Sequence, residues 1–350
     1  MTDPGFALDC PVPRTGYDRI VMAHGGGGRL SADLLQKVFL PAYGNKILSQ
    51  LEDQATLDWE GGRLAFTTDA FVVRPIFFPG GDIGKLAING TVNDLAVGGA
   101  RPLYISAAFI LEEGLPIEDL ERIVASMRDA CRAAKVVLVT GDTKVVDQGK
   151  GDKVFIATSG IGVVPDGVTL SIRGARPGDR IVLSGTIGDH GMAILSQREG
   201  IELESTLESD TAPLGELAQN ALRACPSIRL MRDPTRGGLA STLNELAQAS
   251  GVGVRIEEER IPLRPEVKGA CEILGLDPLY IANEGKLVAV VPDKDSDRLV
   301  ETLRAHPLGR NAVVIGEILA DGPGIVRAKS RIGGERIVSL LAGEPLPRIC

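Results

Sequence analysis

Two hydrophobic periods alternate along the chain. Short apolar or alternating runs, typical of β-strands, are followed by longer stretches in which apolar residues recur at helical spacing. In the first half, this pattern predicts two strands within 54–73, strands at 102–111, 136–140 and 154–164, and helices at 31–39, 83–97 and 117–134. In the second half, it predicts strands at 180–184, 252–257, 287–291, 312–318 and 324–328, and helices at 214–225, 239–249 and 295–306. The alternation of strands and helices in both halves predicts an α/β or α+β fold.

Breaks in this pattern suggest where the domains begin and end. Residues 173–179 have the Gly and Pro character of a linker, and 197–210 is a polar stretch with five acidic residues that we expect to form a surface loop. The resulting division is a glycine-rich N-terminal segment (1–44), a first domain (45–172), a second domain (173–342) and a C-terminal tail (343–350).

Composition excludes several classes of function. The 350 residues are 44% hydrophobic and 24% charged, which is ordinary for a globular protein. A net charge of −8 and only 4% aromatic residues argue against a nucleic-acid partner, which favours basic surfaces and stacking side chains. The first thirteen residues lack a signal-peptide core, and no apolar run approaches the roughly 20 residues of a membrane helix.

Five widely spaced cysteines, none in a C-x-x-C pair, are typical of reduced thiols and predict a cytoplasmic protein without membrane attachment. Cys131, Cys225 and Cys271 have neighbours typical of a protein core. Cys350 differs because it ends the chain and follows a segment with two prolines and a glycine, which favours an extended, flexible tail. Eight residues from Gly343 would reach about 26 Å, enough to carry a sulfur between sites, although the chain could also simply end there.

A run of four glycines follows His24 and precedes a helix that Ser31 is suited to cap. Gly25, Gly26 and Gly27 would let backbone N–H groups approach a phosphate, although such runs are also common in flexible loops. The motif is not a Walker loop, because G-x-x-x-x-G-K-[ST] is absent.

Polar residues cluster at the ends of several predicted elements. Asn89, Asn93 and Asp94 share one region of an otherwise apolar helix, where burial without a partner is costly. The aspartates that lie at element ends in glycine- or asparagine-rich surroundings are Asp69, Asp94, Asp142 and Asp233. If they converge, they would suit Mg²⁺ and a nucleotide triphosphate, whereas each alone is compatible with a cap or a turn.

Four segments occur in an order that resembles the aminoimidazole ribonucleotide synthetase (PurM-like) superfamily of ATP-dependent enzymes. They are Thr67-Thr68-Asp69-Ala70, Asn89 to Ala96, Thr140 to Lys144 and Asp233 to Leu239. Within this superfamily, the glycine-rich start, Asn283-Glu284-Gly285 and the terminal Pro-Arg-Ile-Cys resemble the HypE family of hydrogenase maturation factors. The resemblance covers about residues 20–350.

This resemblance implies a two-domain fold in which the N-terminal domain forms a β-barrel across a homodimer and the C-terminal domain is α+β. ATP and Mg²⁺ would lie between the domains. A carbamoyltransferase (HypF) would load the terminal thiol, the thiocarboxamide would be dehydrated to a thiocyanate at the expense of ATP, and the cyanide would pass to iron on a HypC–HypD complex for a nickel–iron hydrogenase.

The resemblance also implies roles for individual residues. Cys350 would carry the carbamoyl and cyano groups, Glu284 would act as general base, Lys144 would stabilise charge on the transferred phosphoryl group, and His24 would assist. An ion pair of Glu284 with Lys286 is the alternative. ATP contacts are expected from Gly25, Gly26, Gly27, Asn89, Asn93, Asp94, Thr143 and Lys144, and Mg²⁺ contacts from Asp69, Asp94, Asp142 and Asp233. His190 and His306 are expected to be structural or exposed.

Two other interpretations remain open at this point. One is a different ATP enzyme of the superfamily, such as a selenophosphate synthetase or a thiamine-phosphate kinase. The first would be expected to have a reactive Cys closely followed by Lys near its start, whereas Cys10 is followed by Pro11. The other is a non-catalytic thiol carrier, which the presence of all four aspartates, Lys144 and Glu284 argues against.

Overall fold

A computed structural model describes residues 28–34, 36–37, 48–200, 207–330, 333–341 and 348–350. His24 and Gly25 to Gly27, predicted to contact ATP or substrate, lie outside the described residues, as does most of the predicted tail. The first described element is the short helix α1 (Arg29–Leu34). Two sheets with flanking helices follow, so both halves combine strands and helices as the hydrophobic pattern predicts.

The first sheet has five strands and one helix-covered face. Its spatial order is β1-β2-β7-β5-β6, and only the β5–β6 pair is parallel. The strands are β1 (Ala55–Trp59), β2 (Gly62–Phe71), β5 (Arg101–Glu112), β6 (Val137–Val146) and β7 (Val154–Val164). Strand β7 alternates strictly between buried and more accessible positions, which places every second side chain against the covering helices.

Helices α2 (Ile83–Val97) and α3 (Ile117–Ala134) cover that face. All residues of α2 except Lys85 and Asp94 are buried, and Asp82 caps the helix by accepting hydrogen bonds from the N–H groups of Gly84 and Lys85. A two-stranded hairpin, β3 (Phe77–Phe78) with β4 (Gly81–Asp82), leads into this cap.

The opposite face of the first sheet is open and apolar. Phe66, Tyr104, Val137, Val139 and Ile161 are all at least 39% exposed. Strand β6 pairs only with β5 among the described strands, so its other edge is free. The described strands form an open sheet, and the barrel expected across a homodimer is not closed within this chain.

The second sheet has seven strands in the order β14-β13-β10-β12-β8-β11-β9. They are β8 (Asp179–Leu183), β9 (Leu230–Arg232), β10 (Gly253–Glu257), β11 (Val288–Pro292), β12 (Val313–Leu319), β13 (Val326–Lys329) and β14 (Glu335–Val338). Its helices are α4 (Asp189–Glu199), α5 (Gly215–Ala224), α6 (Gly238–Ser250), α7 (Pro265–Leu274) and α8 (Asp293–Arg304). Short 3₁₀ helices occupy Leu48–Gln50, Glu258–Arg260, Pro278–Tyr280 and Pro307–Gly309. The proposed linker 173–179 lies between β7 and β8.

The hydrophobic pattern missed helices α4 and α7 and strands β3, β4, β9 and β14, and it misplaced one loop. The prediction of a surface loop at 197–210 is wrong at its two ends, because α4 continues to Glu199 and because Leu207 and Ser209 are buried. The acidic residues of this stretch suggested exposure to solvent, but one of them, Asp210, lies in a buried ion pair with Lys286. No helix of the described residues combines the length and hydropathy that crossing a membrane requires.

Candidate active site

A cavity of about 270 Å³ lies where the two sheets meet, and its wall is rich in carboxylates. Strand β2, helix α2, the segment that leads into α6 and the loop before β11 contribute to it, together with the terminal residue Cys350. The carboxylates that line it are Asp53, Asp69, Asp94, Asp233, Glu245 and Glu284. Three of the four aspartates that the sequence singles out therefore share one cavity.

The local folds that hold these aspartates differ. Asp69 lies near the end of β2 and accepts a hydrogen bond from the N–H of Ala70 at 2.8 Å. Asp94 lies on the accessible side of α2 and accepts one from Thr67 Oγ1 at 2.9 Å. Asp233 follows β9, in the turn before α6, where Gly237 and Gly238 both have positive φ. A Cβ on Gly238 would come within 2.6 Å of the carbonyl oxygens of Leu279 and Ile281, so glycine is required there.

The carboxylates raise one another's pKa. Burial is the largest cause at Asp94, whose pKa is raised well above its ordinary value, and the charges of Asp233, Asp69 and Asp53 raise it further. Burial likewise raises the pKa of Asp233 to about 6, against the opposing charge of Arg232. A cluster of this kind favours a cation or protons at neutral pH.

Two arginines supply part of the positive charge. Arg232 contacts Asp53 and Glu245, each at 2.9 Å. Arg236 Nη2 lies 4.0 Å from Asp69 Oδ1. The pKa of Arg236 is raised chiefly by the negative charge at Cys350, with smaller contributions from Asp69 and Glu284. Arg236 thus lies near Asp69 and within reach of the negative charge at the chain terminus.

Glu284 is the most deeply buried carboxylate of the cavity, at 2% exposure. Its N–H donates to Asp210 Oδ1 at 3.1 Å, and its carbonyl accepts from Asn93 Nδ2 at 2.9 Å. Burial and the charges of Asp233 and Asp69 raise its pKa well above the ordinary value. Lys286, the alternative partner from the sequence, instead pairs with Asp210 at 2.9 Å, so the side chain of Glu284 faces the cavity.

Asn89 and Asn93 lie behind the cavity. Both are 1% exposed. Asn93 accepts from the N–H of Leu214 and donates to the carbonyls of Ala212 and Glu284. Asn89 donates to Thr211 Oγ1 at 3.2 Å. Their contacts in this chain position the backbone around Glu284, and neither residue lines the cavity.

The remaining predicted group lies elsewhere. Asp142, Thr143 and Lys144 are on β6, at the free edge of the first sheet. The side chains of Asp142 and Lys144 are 67% and 75% exposed and lie 3.6 Å apart. Within one chain, these residues do not reach the cavity.

The last three residues are docked against the molecule. Val72 N–H donates to the Cys350 carbonyl oxygen at 3.2 Å, and Arg74 N–H donates to that of Arg348 at 3.1 Å, which is an antiparallel pairing beyond the end of β2. Ile349 is 4% exposed, and half-buried Cys350 lines the cavity. The terminus therefore lies docked at the cavity, whereas the two prolines and the glycine before it predicted an extended, flexible tail.

His190 takes part in this docking. Of the two expected alternatives, structural or exposed, the structure selects the first, because the ring is fully buried and Nε2 lies 2.8 Å from the carbonyl oxygen of Ile349. His306, in contrast, caps the 3₁₀ helix Pro307–Gly309 through Nδ1.

Mg²⁺ fits the chemistry of the cavity, although the protein alone offers an incomplete shell. Among the residues that the structure describes, no group of three or more His, Cys, Asp or Glu side chains is arranged to hold a metal ion. Mg²⁺ is commonly bound by one or two carboxylates together with phosphate oxygens and water. Asp69, Asp94 and Asp233 are mutually repelling oxygen donors of that kind.

Sequence reasoning missed Asp53, Arg232, Arg236 and Glu245 in the cavity wall. Arg236 belongs to the Asp233–Gly238 motif and was available to a search for cations beside the carboxylates. The sequence around Asp53 and Glu245 contains no motif that indicates a site. Asp53 lies in the loop before β1, and Glu245 lies within α6.

Comparison with known proteins agrees with this architecture. Residues 51–164 match the model of the AIR synthase related protein, N-terminal domain, and residues 176–329 match that of the C-terminal domain. The carbamoyl dehydratase HypE of Cupriavidus necator is 56% identical over 333 residues, which cover 95% of each chain.

Two crystal structures are also similar. HypE from a HypE–HypF complex superimposes with a TM-score of 0.84 at 46% identity, covering 88% of this chain and 99% of that one. HypE in complex with ATP gives a TM-score of 0.80 at 47% identity, covering 95% and 100%. The fold is thus the two-domain AIR synthase-like α/β fold, and the chain belongs to the HypE family of carbamoyl dehydratases within the AIR synthase-related superfamily.

Proposed function

We propose that this protein dehydrates a thiocarboxamide on its own Cys350 to a thiocyanate, using ATP. The observation that carries the proposal is the docked terminus, which holds Cys350 at a cavity lined by carboxylates. A bound substrate that is part of the chain needs only a short excursion to reach the reacting groups, so proximity contributes strongly to the rate. Relatives named carbamoyl dehydratase and a related structure bound to ATP support it.

The reaction is the loss of water from a primary amide, with ATP as the acceptor of the oxygen. The amide oxygen attacks the γ-phosphorus and one N–H proton departs, which gives an O-phosphorylated imidate and ADP. The second N–H proton then leaves, the C≡N bond forms, and the C–O bond breaks to release phosphate. The amide oxygen therefore ends in phosphate, and Cys350 carries S–C≡N.

Glu284 is our choice for the base that accepts the N–H proton. It is buried, faces the cavity and is held through its own backbone by Asp210 and Asn93. A raised pKa makes its carboxylate a stronger base than an exposed one, and the nearby charge of Arg236 favours the ionised form.

We further propose that Asp69, Asp94 and Asp233 hold Mg²⁺ and the phosphates of ATP, with Arg236 beside the terminus. Mg²⁺ would supply positive charge that offsets the repulsion among these carboxylates and the phosphates. Arg236 would help to orient the tail, because its guanidinium lies 4.0 Å from Asp69 and the negative charge of Cys350 raises its pKa.

A homodimer would complete the site. The free edge of β6 and the exposed apolar residues of the first sheet, among them Tyr104 and Val139, are typical of a surface that a second copy covers. Asp142, Thr143 and Lys144 lie on that edge, so dimerisation can carry them to the partner subunit's cavity. There Lys144 would stabilise the transferred phosphoryl group.

Delivery of the group requires at least two tail positions. In the docked position, Cys350 lies at the cavity. In the other, it meets a carbamoyltransferase of the HypF type for loading and an iron-bearing HypC–HypD complex for release of cyanide. The complex of a related HypE with HypF supports the first of these partners.

Mass spectrometry of the C-terminal peptide tests the proposal. After incubation with the carbamoyltransferase, carbamoyl phosphate and ATP, we expect the peptide to gain one carbamoyl group and then to lose one water, the second step requiring Mg²⁺ and ATP. Modification of Cys131, Cys225 or Cys271 in place of Cys350 would contradict the proposal.

A further inference from the structure

We propose that His190 is a positioning residue that holds the carboxyl-terminal tail in the cavity through the hydrogen bond of its Nε2–H with the carbonyl oxygen of Ile349. The inference deepens the proposed function, because it assigns a residue that selects the docked position of Cys350. It begins from a feature that the site chemistry leaves unexplained, a fully buried histidine about 2.8 Å from the tail backbone.

The hydrogen bonds around His190 determine its tautomer. The carbonyl of Ile349 can only accept, so Nε2 carries the proton. Burial lowers the pKa of His190 and favours the neutral ring, in which Nδ1 accepts from Ser209 Oγ at 2.7 Å. Ser209 Oγ in turn accepts from the N–H of Thr211 at 3.1 Å. Each hydrogen bond in this series therefore has a defined donor and acceptor, and the series ends at the backbone of the tail.

The same segment connects His190 with the catalytic end of the cavity. Ser209 and Thr211 flank Asp210, which accepts from the N–H of Glu284 and pairs with Lys286. Thr211 also accepts from Asn89 of α2. The segment 209–211 thus positions the backbone of the proposed base and, through His190, the tail that bears the substrate.

Arg198 and Asp152 also contact the tail. Arg198, about two turns along α4 from His190, donates to the carbonyl oxygens of Arg348 and Arg74 at 2.7 and 2.8 Å. Arg348 itself pairs with Asp152 at 2.7 Å. These two contacts lie nearer the surface, whereas the contact of His190 is buried, so water replaces it least easily when it is lost.

Removal of the Nε2–H would leave the Ile349 carbonyl buried without its donor, and the tail would leave the cavity more often. We expect His190→Phe, which keeps an aromatic ring beside Phe78, to raise the population of undocked tail roughly tenfold. Ser209→Ala keeps the ring and removes the hydroxyl that donates to Nδ1, and we expect an effect of about threefold. His190→Gln retains an N–H donor and should recover much of the docking.

Alkylation of Cys350 by iodoacetamide, followed by peptide mass spectrometry on the full chain, measures the undocked population. The expected result is an alkylation rate about tenfold above wild type for His190→Phe, lower for His190→Gln, and unchanged for His306→Gln, which is the matched histidine away from the tail. Rates equal to wild type in both His190→Phe and Ser209→Ala would overturn the proposal. If Cys131 and Cys271 also react faster in His190→Phe, the fold has loosened, and Ser209→Ala alone decides.

A second readout separates positioning from a merely structural role. Loading of Cys350 by the carbamoyltransferase uses the undocked tail, so it should be as fast or faster in His190→Phe. ATP-dependent loss of water from the loaded chain uses the docked tail, so it should be slower, by at most the tenfold loss of docking. Equal losses in both steps would overturn the assignment. Alkylation requires neither ATP nor a carbamoyl group, so it tests the role of His190 even if the proposed dehydration is wrong.

Discussion

Asp233→Asn should affect stability in opposite directions with and without Mg·ATP. Asp233 sits in the carboxylate cluster of the cavity, where burial, opposed by Arg232 and reinforced by Asp69 and Glu245, raises its pKa from 3.8 to about 6. Because folding raises the pKa of Asp233, ionising its carboxyl costs more free energy in the folded protein than in the unfolded chain. The free energy of unfolding is therefore highest below the pKa of the unfolded chain and falls as the pH rises through the pKa of the folded protein. The penalty is therefore small at pH 4, close to the unfolded value, and complete at pH 8.

The expected change in the free energy of unfolding follows from the pKa shift of Asp233. About 2 pKa units correspond to about 3 kcal/mol, which partial solvent contact at the cavity mouth reduces to roughly 1–3 kcal/mol. Asparagine resembles the protonated acid and carries no such penalty. We expect Asp233→Asn to stabilise the ligand-free protein by that amount at pH 8 and to have almost no effect at pH 4. Because the proposed Mg·ATP contact is lost, the variant should also forfeit most of the ligand-induced stabilisation, about 3 kcal/mol near a hundredfold excess over Kd.

Urea unfolding at pH 4 and pH 8, with and without Mg·ATP, measures the free energy of unfolding under each of these four conditions. Asp147→Asn is the matched control, since it removes the same charge from an exposed turn and should change stability by less than about 0.5 kcal/mol. Destabilisation of the ligand-free Asp233→Asn protein at pH 8, or an equal gain at both pH values, would refute the electrostatic reasoning.

Three further predictions concern the reaction. Glu284→Gln should keep ATP binding and slow water loss from loaded Cys350 by about 10²- to 10⁴-fold in single-turnover mass spectrometry, and a wild-type rate would exclude Glu284 as the base. Mixing inactive Asp94→Asn and Asp142→Asn homodimers after subunit exchange should restore about a quarter of wild-type activity, because a heterodimer has one intact shared site, whereas sites confined to one chain would stay inactive. Ile349→Ala should weaken docking by about 2 kcal/mol, or roughly 30-fold, raising the iodoacetamide reactivity of Cys350, and an unchanged reactivity would show that the buried Ile349 side chain contributes nothing.

Sequence periodicity predicted the elements whose hydrophobic pattern is strong. The helix 83–97 was predicted with its actual bounds, since its burial is nearly complete and its cap, Asp82, is a standard N-cap residue. Strand β9 has only three residues and β14 has one buried position in four, so neither carried a readable period. The stretch 197–210 misled because charged residues are usually exposed, whereas Asp210 is buried by virtue of a partner 76 residues away.

The candidate site was partly predictable for a similar reason. Asp69, Asp94 and Asp233 stand in motifs, and the fold brings them together. The roles of Asn89 and Asn93 depend on partners more than a hundred residues distant, the Thr211 hydroxyl and the Leu214 N–H, which no local pattern reveals. His190 was missed because its significance lies in a contact with Ile349 across 159 positions of sequence. The sequence identified the sulfur, and the structure adds that its terminus is docked.

The fate of the carbamoyl oxygen tests the central claim most directly. The protein would be loaded with a carbamoyl group that contains heavy oxygen and then given unlabelled ATP and Mg²⁺ for a single turnover. The account predicts that the heavy oxygen appears in inorganic phosphate, one atom for each thiocyanate formed on Cys350. Heavy oxygen in water, with unlabelled phosphate, would contradict phosphorylation of the amide oxygen and with it the proposed use of ATP.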